Sequence, residues 1–290
     1  MKPLRTLKTI YSPDMVANTG RLTSPSAGKP RLVAEALAQT PWPIEFVCPD
    51  PIAIDAIVRV HDVGFVDAIL TLRSPDGFGS LSESVVRSLP YTCGGFHTGA
   101  LIALSEGLSV SLTSGFHHAY PARARSYCTF NGLMISAVKL LDDSLASRVA
   151  IIDCDYHYGD GTDAIIEAMA LENRILHVTF GKSYRARHHA RAYLMAMEAL
   201  RDPLREFRPD IVFYQAGADT HVDDPLGGLL TTDEMRTRDR TMFAIARDLG
   251  IPLTWNLAGG YQMAQDGSIP IVIDLHLNTF AEALREWQLI

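Results

Sequence analysis

The sequence predicts an α/β fold in which a parallel sheet carries helices on both faces. Three observations support this. Strand-like and helix-like segments alternate along the chain, the strand-like runs are short and almost continuously apolar, and the segments between them have helical periodicity. No internal repeat or linker-like stretch divides the 290 residues. Residues 1–290 are therefore interpreted as a single domain.

Each predicted strand is a short β-branched or apolar run bounded by turn residues. In chain order these runs are Ile44–Cys48, Leu108–Thr113, Arg148–Asp155, Arg174–Phe180, Asp210–Gln215 and Pro252–Leu257. The predicted helices are Pro30–Gln39, Gly95–Glu106, Asn131–Ser144, Asp163–Glu172, Ala190–Phe207, Thr232–Leu249 and Leu275–Trp287. Ligands of such sheets bind beyond the carboxyl ends of the strands, so polar residues directly after the runs are the candidate site.

Composition excludes several classes of function. The net charge of −7 provides no basic field for a nucleic-acid backbone. No apolar run approaches the ~20 residues of a membrane span, and Met1–Gly20 lacks a signal-peptide core, so we expect a cytoplasmic protein that binds neither nucleic acid nor membrane. The four cysteines have no CxxC spacing, which favours reduced core thiols over disulfides or a structural zinc site: Cys48, Cys93, Cys128 and Cys154.

A metal site is indicated after the run Val149–Ile152. Alternation along a strand places Asp153, Asp155 and His157 on one face. Carboxylate oxygen and neutral imidazole nitrogen suit zinc, and a catalytic zinc site has three protein ligands and one open position. A strand end whose polar groups hydrogen-bond to one another is the alternative.

The third ligand has several candidates in the loop after the strand at Asp210–Gln215. Asp219, His221, Asp223 and Asp224 all lie there. Spacing alone does not choose among them, because loop carboxylates are frequently turn formers or helix caps.

Two further fragments complete a hydrolase pattern. The tandem His117 and His118 follow a predicted strand and suggest a proton acceptor beside an imidazole that balances charge, with Asp153 and Asp160 as candidates to orient them. Tyr261 follows two glycines and could donate a hydrogen bond to an oxyanion, which is typically worth about 3–4 kcal/mol. A glycine turn followed by a packed tyrosine is an equally valid reading of that fragment alone.

Together these fragments resemble the histone deacetylase superfamily, which includes acetoin-utilization proteins and acetylpolyamine amidohydrolases. The resemblance extends from about Pro30 to Tyr261. It is carried by Ser114–Ala119 with Ser126–Asn131, by the D-x-D-x-H-x-G-D-G stretch Asp153–Gly161, by the G-A-D-x-x-x-x-D-P-L stretch Gly217–Leu226, and by Ala258–Tyr261.

The resemblance implies an arginase/deacetylase fold with a central parallel sheet of about eight strands. It implies that a zinc ion is held by three ligands: Asp155, His157 and Asp224. It further implies His118 as general base and His117 as its electrostatic partner, backed by Asp160 and Asp153 respectively, with Tyr261 as oxyanion donor.

The resemblance also implies contacts with substrate and ions. Tyr127 would form a wall of an acyl-lysine tunnel, beside Ser126 and Gly259, and Arg31 would line an inner acetate cavity. Asp153 would also join a structural K⁺ site.

Several positions depart from the family pattern. Tyr158, Ser126 and Ala258 replace a histidine or glutamine, a glycine and a glycine respectively, and Ser126 and Ala258 put the accepted acyl group in doubt. Residues 181–209 are shorter than the family segment that supplies the opposite tunnel wall, so we expect a more open pocket, with Tyr184 as a partial replacement. The basic residues there would attract an anionic substrate or simply be solvated: Arg185, Arg187, His188, His189 and Arg191.

The implied function is a zinc-dependent amidohydrolase that removes an acetyl-type acyl group from an N-acylated amine, with acyl-lysine preferred. An acetylpolyamine or other small-molecule deacetylase is the alternative, although residues 61–93 contain few of the acidic side chains that a polycation needs. A silent acyl-lysine-binding module and an arginase-like dinuclear hydrolase are weaker alternatives. The sequence leaves open the acyl chain, the amine, the oligomeric state and whether iron replaces zinc.

Overall fold

A seven-stranded sheet forms the centre of the molecule. The computed structural model describes residues 5–18 and 24–290. Its strands are β1 (Leu7–Ile10), β2 (Ile44–Val47), β3 (Leu108–Ser114), β4 (Val149–Asp153), β5 (Ile175–Thr179), β6 (Ile211–Gly217) and β7 (Leu253–Ala258). They are arranged in the order β2-β1-β3-β7-β6-β4-β5, and every neighbouring pair is parallel. The predicted parallel α/β sheet is confirmed.

The six predicted strands are present, and the sheet differs from expectation in two respects. The four-residue β1 was not predicted, because Leu7-Lys8-Thr9-Ile10 is too short for a pattern to stand out. With β1 included, the described residues form seven strands rather than about eight. In addition, β4 ends at Asp153, so Asp155 and His157 lie on the loop beyond the strand instead of on its face.

Helices connect the strands. They are α1 (Lys29–Leu37), α2 (Ile54–Val58), α3 (Val63–Leu70), α4 (Glu83–Glu106), α5 (Gly132–Asp142), α6 (Asp160–Ala168), α7 (Ala190–Ala199), α8 (Arg201–Phe207), α9 (Thr232–Leu249) and α10 (Pro270–Glu286). The short α2 and α3 and the first half of α4 were not predicted. None of the described helices has the length and apolar character needed to cross a membrane.

The segment predicted as one helix over Ala190–Phe207 is two helices. Pro203 has no N–H to donate to the carbonyl of Ala199, four residues earlier, and its ring crowds that position. The chain therefore ends α7 at Ala199 and begins α8 at Arg201, where Pro203 lies in the first turn.

Side-chain alternation along the sheet separates two hydrophobic cores. On β4, Ala150 and Ile152 pack on one face together with residues of α1, α7, α9 and α10. Val149 and Ile151 pack on the other face with residues of α4, α5 and α6. Every residue of β4, β6 and β7 is buried, which explains why these runs are continuously apolar in the sequence.

The edge strands are the least protected. The central residues of β2 are exposed and include Glu45, which pairs with Lys8 of β1. A charged edge disfavours pairing with another sheet. Four of the strands between the edges, β3, β7, β6 and β4, are adjacent, so the loops at their carboxyl ends converge on one place.

We predict that Gly94→Ala destabilises the fold although alanine is the better helix former. A Cβ at Gly94, inside α4, would overlap the carbonyl oxygen of Asp50 and lie 2.8 Å from the amide nitrogen of Ile52. Overpacking of this kind costs about 1–3 kcal/mol, more than the ~1 kcal/mol gained in helix propensity. Urea unfolding would measure the difference, with Thr98→Ala on the same helix as control. Equal stability of Gly94→Ala and wild type would contradict the packing.

Candidate active site

Two adjacent histidines after β3 each bind a carboxylate through Nδ1. His117 Nδ1 lies 2.7 Å from Asp153 Oδ2, and His118 Nδ1 lies 2.7 Å from Asp160 Oδ1. These are the two carboxylates that the sequence paired with them. Each bond orients a ring and makes Nδ1 the protonated nitrogen, so that Nε2 is the atom available for chemistry.

The two imidazoles differ in their affinity for a proton. Burial lowers the pKa of His118 to about 4, and the positive charge of His117 acts in the same direction. Burial also opposes charge on His117, but the attraction of Asp153 and Asp155 outweighs it and raises the pKa of His117 to about 9. In this arrangement His118 is a neutral base at pH 7, and His117 is an imidazolium.

Asp155, His157 and Asp219 form a group of potential metal ligands. One ligand atom from each lies within 4.8 Å of the other two. His157 Nδ1 is 3.1 Å from Asp155 Oδ1 and 2.9 Å from Asp219 Oδ2. Both carboxylates are buried, and the backbone N–H of Tyr156 donates to Asp219 Oδ1 at 3.0 Å. The loop after β4 and the loop after β6 therefore meet at this point.

The charges of this group call for a cation. Burial, reinforced by repulsion from Asp155, raises the pKa of Asp219 to about 7. Burial acts on Asp155 in the same sense, but attraction by His117 and the hydrogen bond from His157 lower its pKa. Against its own burial, His157 is held protonated by the two carboxylates, which raise its pKa to about 11. A divalent cation bound in place of that proton would neutralise the charges of both carboxylates.

The chemistry of the donors fits a divalent metal. One imidazole nitrogen and two carboxylate oxygens are the ligand types that zinc accepts in catalytic sites. Fe²⁺ accepts the same types, so the donor set does not separate these two metals.

Asp224, the third ligand that the resemblance implies, stays a prediction, because the group of ligand atoms within 4.8 Å of one another contains Asp219 in its place. Asp224 Oδ1 accepts the backbone N–H of Leu226 at 3.0 Å, and Asp224 Oδ2 accepts that of Tyr261 at 2.7 Å. Asp224 therefore closes a turn and fixes the backbone before the tyrosine. Asp219 joins the ligand group because it follows directly on the end of β6, next to β4.

Glycines allow the Tyr261 loop to lie against the ligand group. Gly259 and Gly260 have positive φ angles of 49° and 88°, a region that side chains disfavour. A Cβ on Gly259 would overlap the carboxylate of Asp219. Burial raises the pKa of Tyr261 well above its usual value, so the phenol remains protonated and able to donate a hydrogen bond.

A pocket of about 390 Å³ connects these groups to solvent. Its walls are formed by Gly77, Phe78, Gly79, His118, Ser126, Tyr127, His157, Leu226 and Tyr261. Tyr127 and Ser126 line it as the sequence indicated, and both have positive φ angles, of 65° and 47°. The rings of Tyr127 and Tyr261 are 5.8 Å apart between centroids.

Phe78 is a wall residue that the sequence did not reveal. Its ring packs 5.7 Å from that of Tyr127, and its loop is held by Asp76, which accepts the backbone N–H groups of Phe78 and Ser80. The Tyr127 N–H donates to the carbonyl of Gly77 at 2.7 Å. The stretch Asp76–Ser80 is recognisable as an aspartate-stabilised turn, but nothing local indicates that it lies beside Tyr127.

Arg31 is not among the described residues that line this pocket. It is exposed on α1 and forms an ion pair with Glu35, with 2.9 Å between Nη1 and Oε1. Lys29, two residues earlier, is instead fully buried, and its Nζ donates to the carbonyl oxygen of Gly259. Two residues turn an α-helix by about 200°, so only one of the two cations can face inward. Burial lowers the pKa of Lys29 to about 8.

The short segment 181–209 does not supply a pocket wall among the described residues. Tyr184 packs against Phe180 and Tyr193 rather than facing the pocket. Arg187 is engaged by Glu234 at 2.9 Å. A pocket that is more open on the side of this segment, as expected from the sequence, agrees with the absence of residues 181–209 from the described lining.

His177 and Tyr158 lie behind the site. The buried His177 contacts Asp163 through Nδ1 at 2.6 Å, and the Tyr158 hydroxyl donates to the same carboxylate. Tyr158, the departure from the family pattern, is thus part of a polar cluster outside the pocket.

The chain is similar in sequence to proteins of one known family. The histone deacetylase domain model matches residues 26–183 and 176–270. The chain is 32% identical to an uncharacterized protein of Picosynechococcus sp. over 70% of this chain and 74% of that protein. It is 30% identical to Histone deacetylase 2 of Arabidopsis thaliana, over 58% of this chain and about half, 48%, of that protein.

The fold also matches a solved structure. Acetylpolyamine aminohydrolase from Burkholderia pseudomallei superposes with a TM-score of 0.76, covering 96% of this chain and 99% of that one. At 19% identity this likeness concerns the fold alone.

We predict that Asp219→Asn and Asp224→Asn have different effects on metal binding. Asp219→Asn removes one carboxylate from the ligand group and should weaken zinc binding at least about 100-fold, whereas Asp224→Asn should retain one zinc per chain. Elemental analysis after dialysis, followed by competition with a chelating dye, would measure both. Retention of zinc by Asp219→Asn with its loss from Asp224→Asn would identify Asp224 as the third ligand.

Proposed function

Because the chain belongs to the histone deacetylase family, we propose that it is a metal-dependent amidohydrolase that removes acetyl-type groups from acylated lysine side chains. One observation supports this most strongly. A single pocket is lined by the neutral base His118, the protonated phenol of Tyr261 and His157 of the ligand group. Hydrolysis of an amide needs a base, an oxyanion donor and an electrophile at one place.

The proposed metal is zinc, held by Asp155 and His157, with Asp219 as the third ligand in this arrangement and Asp224 as the alternative third ligand. When bound there, it supplies Lewis acidity toward the amide carbonyl and toward water. Fe²⁺ in the same position remains an alternative.

The protein groups have distinct parts in the proposed reaction. Tyr261 donates a hydrogen bond to the oxygen of the amide carbonyl as negative charge develops there. His118 accepts a proton from the attacking water at Nε2, while Asp160 holds Nδ1. The C–N bond then breaks, and the histidine pair returns a proton to the departing amine, which balances the reaction. His117 stabilises the negative charge as an imidazolium fixed by Asp153.

Acyl-lysine is preferred over an acetylated polyamine because of the character of the pocket walls. Phe78, Tyr127 and Leu226 provide apolar contacts for a methylene chain, and no carboxylate is among the described lining residues. A polyamine carries further positive charges that acidic residues would have to meet. A small acylated amine remains the alternative substrate.

Two further parts of the proposal concern a structural K⁺ ion and the location of the protein in the cell. The Asp153 carboxylate contacts His117 Nδ1 and accepts hydrogen bonds from the Asp155 N–H and the side-chain amide of Gln215. A structural K⁺ beside it would therefore need additional oxygen ligands. The cytoplasmic location stays a prediction from composition.

We predict that Tyr261→Phe retains zinc but lowers kcat by about 10²–10³-fold, because one oxyanion donor is lost. Tyr184→Phe, which removes a hydroxyl outside the pocket, is the matched control and should have wild-type kcat. Zinc content is measured in parallel with turnover. Unchanged turnover in Tyr261→Phe would refute the role of the phenol, and an inactive wild-type protein with zinc bound would favour a binding module.

We also predict a higher kcat/KM for an acetyl-lysine peptide than for an acetylated polyamine, since the pocket lining offers no carboxylate to a polycation. Both substrates would be assayed with the zinc-loaded protein, and the Tyr261→Phe protein would provide the background rate. A preference for the polyamine would make the protein a small-molecule amidohydrolase.

A further inference from the structure

Arg238 is an arginine with no exposed surface in the interior of the protein. It lies on α9, and its side chain is 0% accessible to solvent. A buried guanidinium is strongly unfavourable unless its charge is paired. Nε and Nη1 of Arg238 have partners, whereas Nη2 has none among the described residues. The identity of its partners therefore indicates what it does.

The partners of Arg238 include two backbone carbonyls and one hydroxyl in the two segments that carry the ligand group, after β4 and at the end of β6. Nη1 donates to the carbonyl of Gly217 at 2.7 Å, to Thr220 Oγ1 at 2.7 Å and, more weakly, to the carbonyl of Cys154 at 3.4 Å. Cys154 lies directly before Asp155 in the chain. Gly217 and Thr220 flank Ala218 and Asp219 on the other loop.

Through Asp239, its neighbour on α9, the guanidinium is also linked to two further elements, β6 and α10. Arg238 Nε lies 2.8 Å from Asp239 Oδ1. Asp239 also accepts the hydroxyl of Tyr214 on β6 and, at 2.7 Å, that of Thr279 on α10. The planar, permanently charged guanidinium is thereby fixed in position, which a flexible lysine could not reproduce.

From this geometry we propose that Arg238 is a positioning residue that sets the separation of Asp155 and Asp219, and through it the affinity of the site for metal. The inference rests on the proposed metal function of that group. β4 and β6 are paired as far as Asp153 and Gln215, with one more bond from the Cys154 N–H to the Gln215 carbonyl at 3.0 Å, and beyond this point β6 pairs with β7 but no longer with β4. Arg238 contacts both chain segments at the point where the pairing between β4 and β6 ends.

The test compares a variant without the guanidinium with one that is destabilised elsewhere. Arg238→Met combined with Asp239→Asn removes the pair without leaving a buried charge, and Phe243→Leu on the same helix is the control for a weakened core. Zinc affinity would be measured by competition with a chelating dye, at a temperature where circular dichroism shows every protein folded. The absorption spectrum of the Co²⁺-substituted proteins would report the ligand geometry.

We expect the double variant to bind zinc about 10–100-fold more weakly and to shift the Co²⁺ spectrum, whereas Phe243→Leu keeps wild-type values. Equal affinity and spectrum in the double variant and in Phe243→Leu would overturn the proposal. If the double variant fails to fold, Thr220→Val, which removes one acceptor of Nη1, should still weaken zinc binding, and a wild-type affinity there would overturn it.

Failure of the metal assignment itself would look different. In that case Asp155→Ala would bind zinc as the wild type does, and the function proposed for the group would fail together with this inference. A loss of zinc in Asp155→Ala with no change in the Arg238 variants overturns only the role of Arg238.

Discussion

The arrangement of the site depends on three carboxylates buried next to one another, Asp153, Asp155 and Asp219. Several negative charges cannot share a dry interior unless positive groups and hydrogen-bond donors surround them. His117 and His157 meet the carboxylates directly, at 2.7 to 3.1 Å. The same requirement that favours protonated imidazoles in this structure makes the group receptive to a divalent cation.

The surrounding backbone is shaped by the need to approach these carboxylates closely. At Gly217 and Gly259 a Cβ would overlap Asp155 or Asp219, so neither position tolerates a side chain. Lys29 and Arg238 bind carbonyl oxygens of these same loops from opposite parts of the chain, one on α1 and one on α9. Two buried cations therefore bind these loops on the side that faces the protein interior. The opposite side of the loops lines the pocket.

Much of this could be predicted where the signal is local. Apolar runs marked six strands, and polar residues just past them marked His117, His118, Asp155, His157 and Tyr261, all of which the structure brings together. Local patterns do not decide between two nearby residues of similar type. Asp219 and Asp224 belong to one loop, and which carboxylate faces β4 depends on the turn between them. Lys29 and Arg31 share one helix, and only the packing of α1 against the sheet decides which faces inward.

The sequence by itself determined the elements and their chemistry, because hydrophobic periodicity, glycines and tandem polar residues act over a few neighbours. Only the tertiary structure decided which elements lie next to one another. Strands that occur in the chain order β3, β4, β6, β7 lie in the sheet in the order β3-β7-β6-β4, which brings the tandem histidines, the ligand group and Tyr261 to one pocket. The contribution of Phe78, about 40 residues before His118, arises in the same way. Contacts between residues distant in sequence are set by the packing of whole elements, which no local pattern encodes.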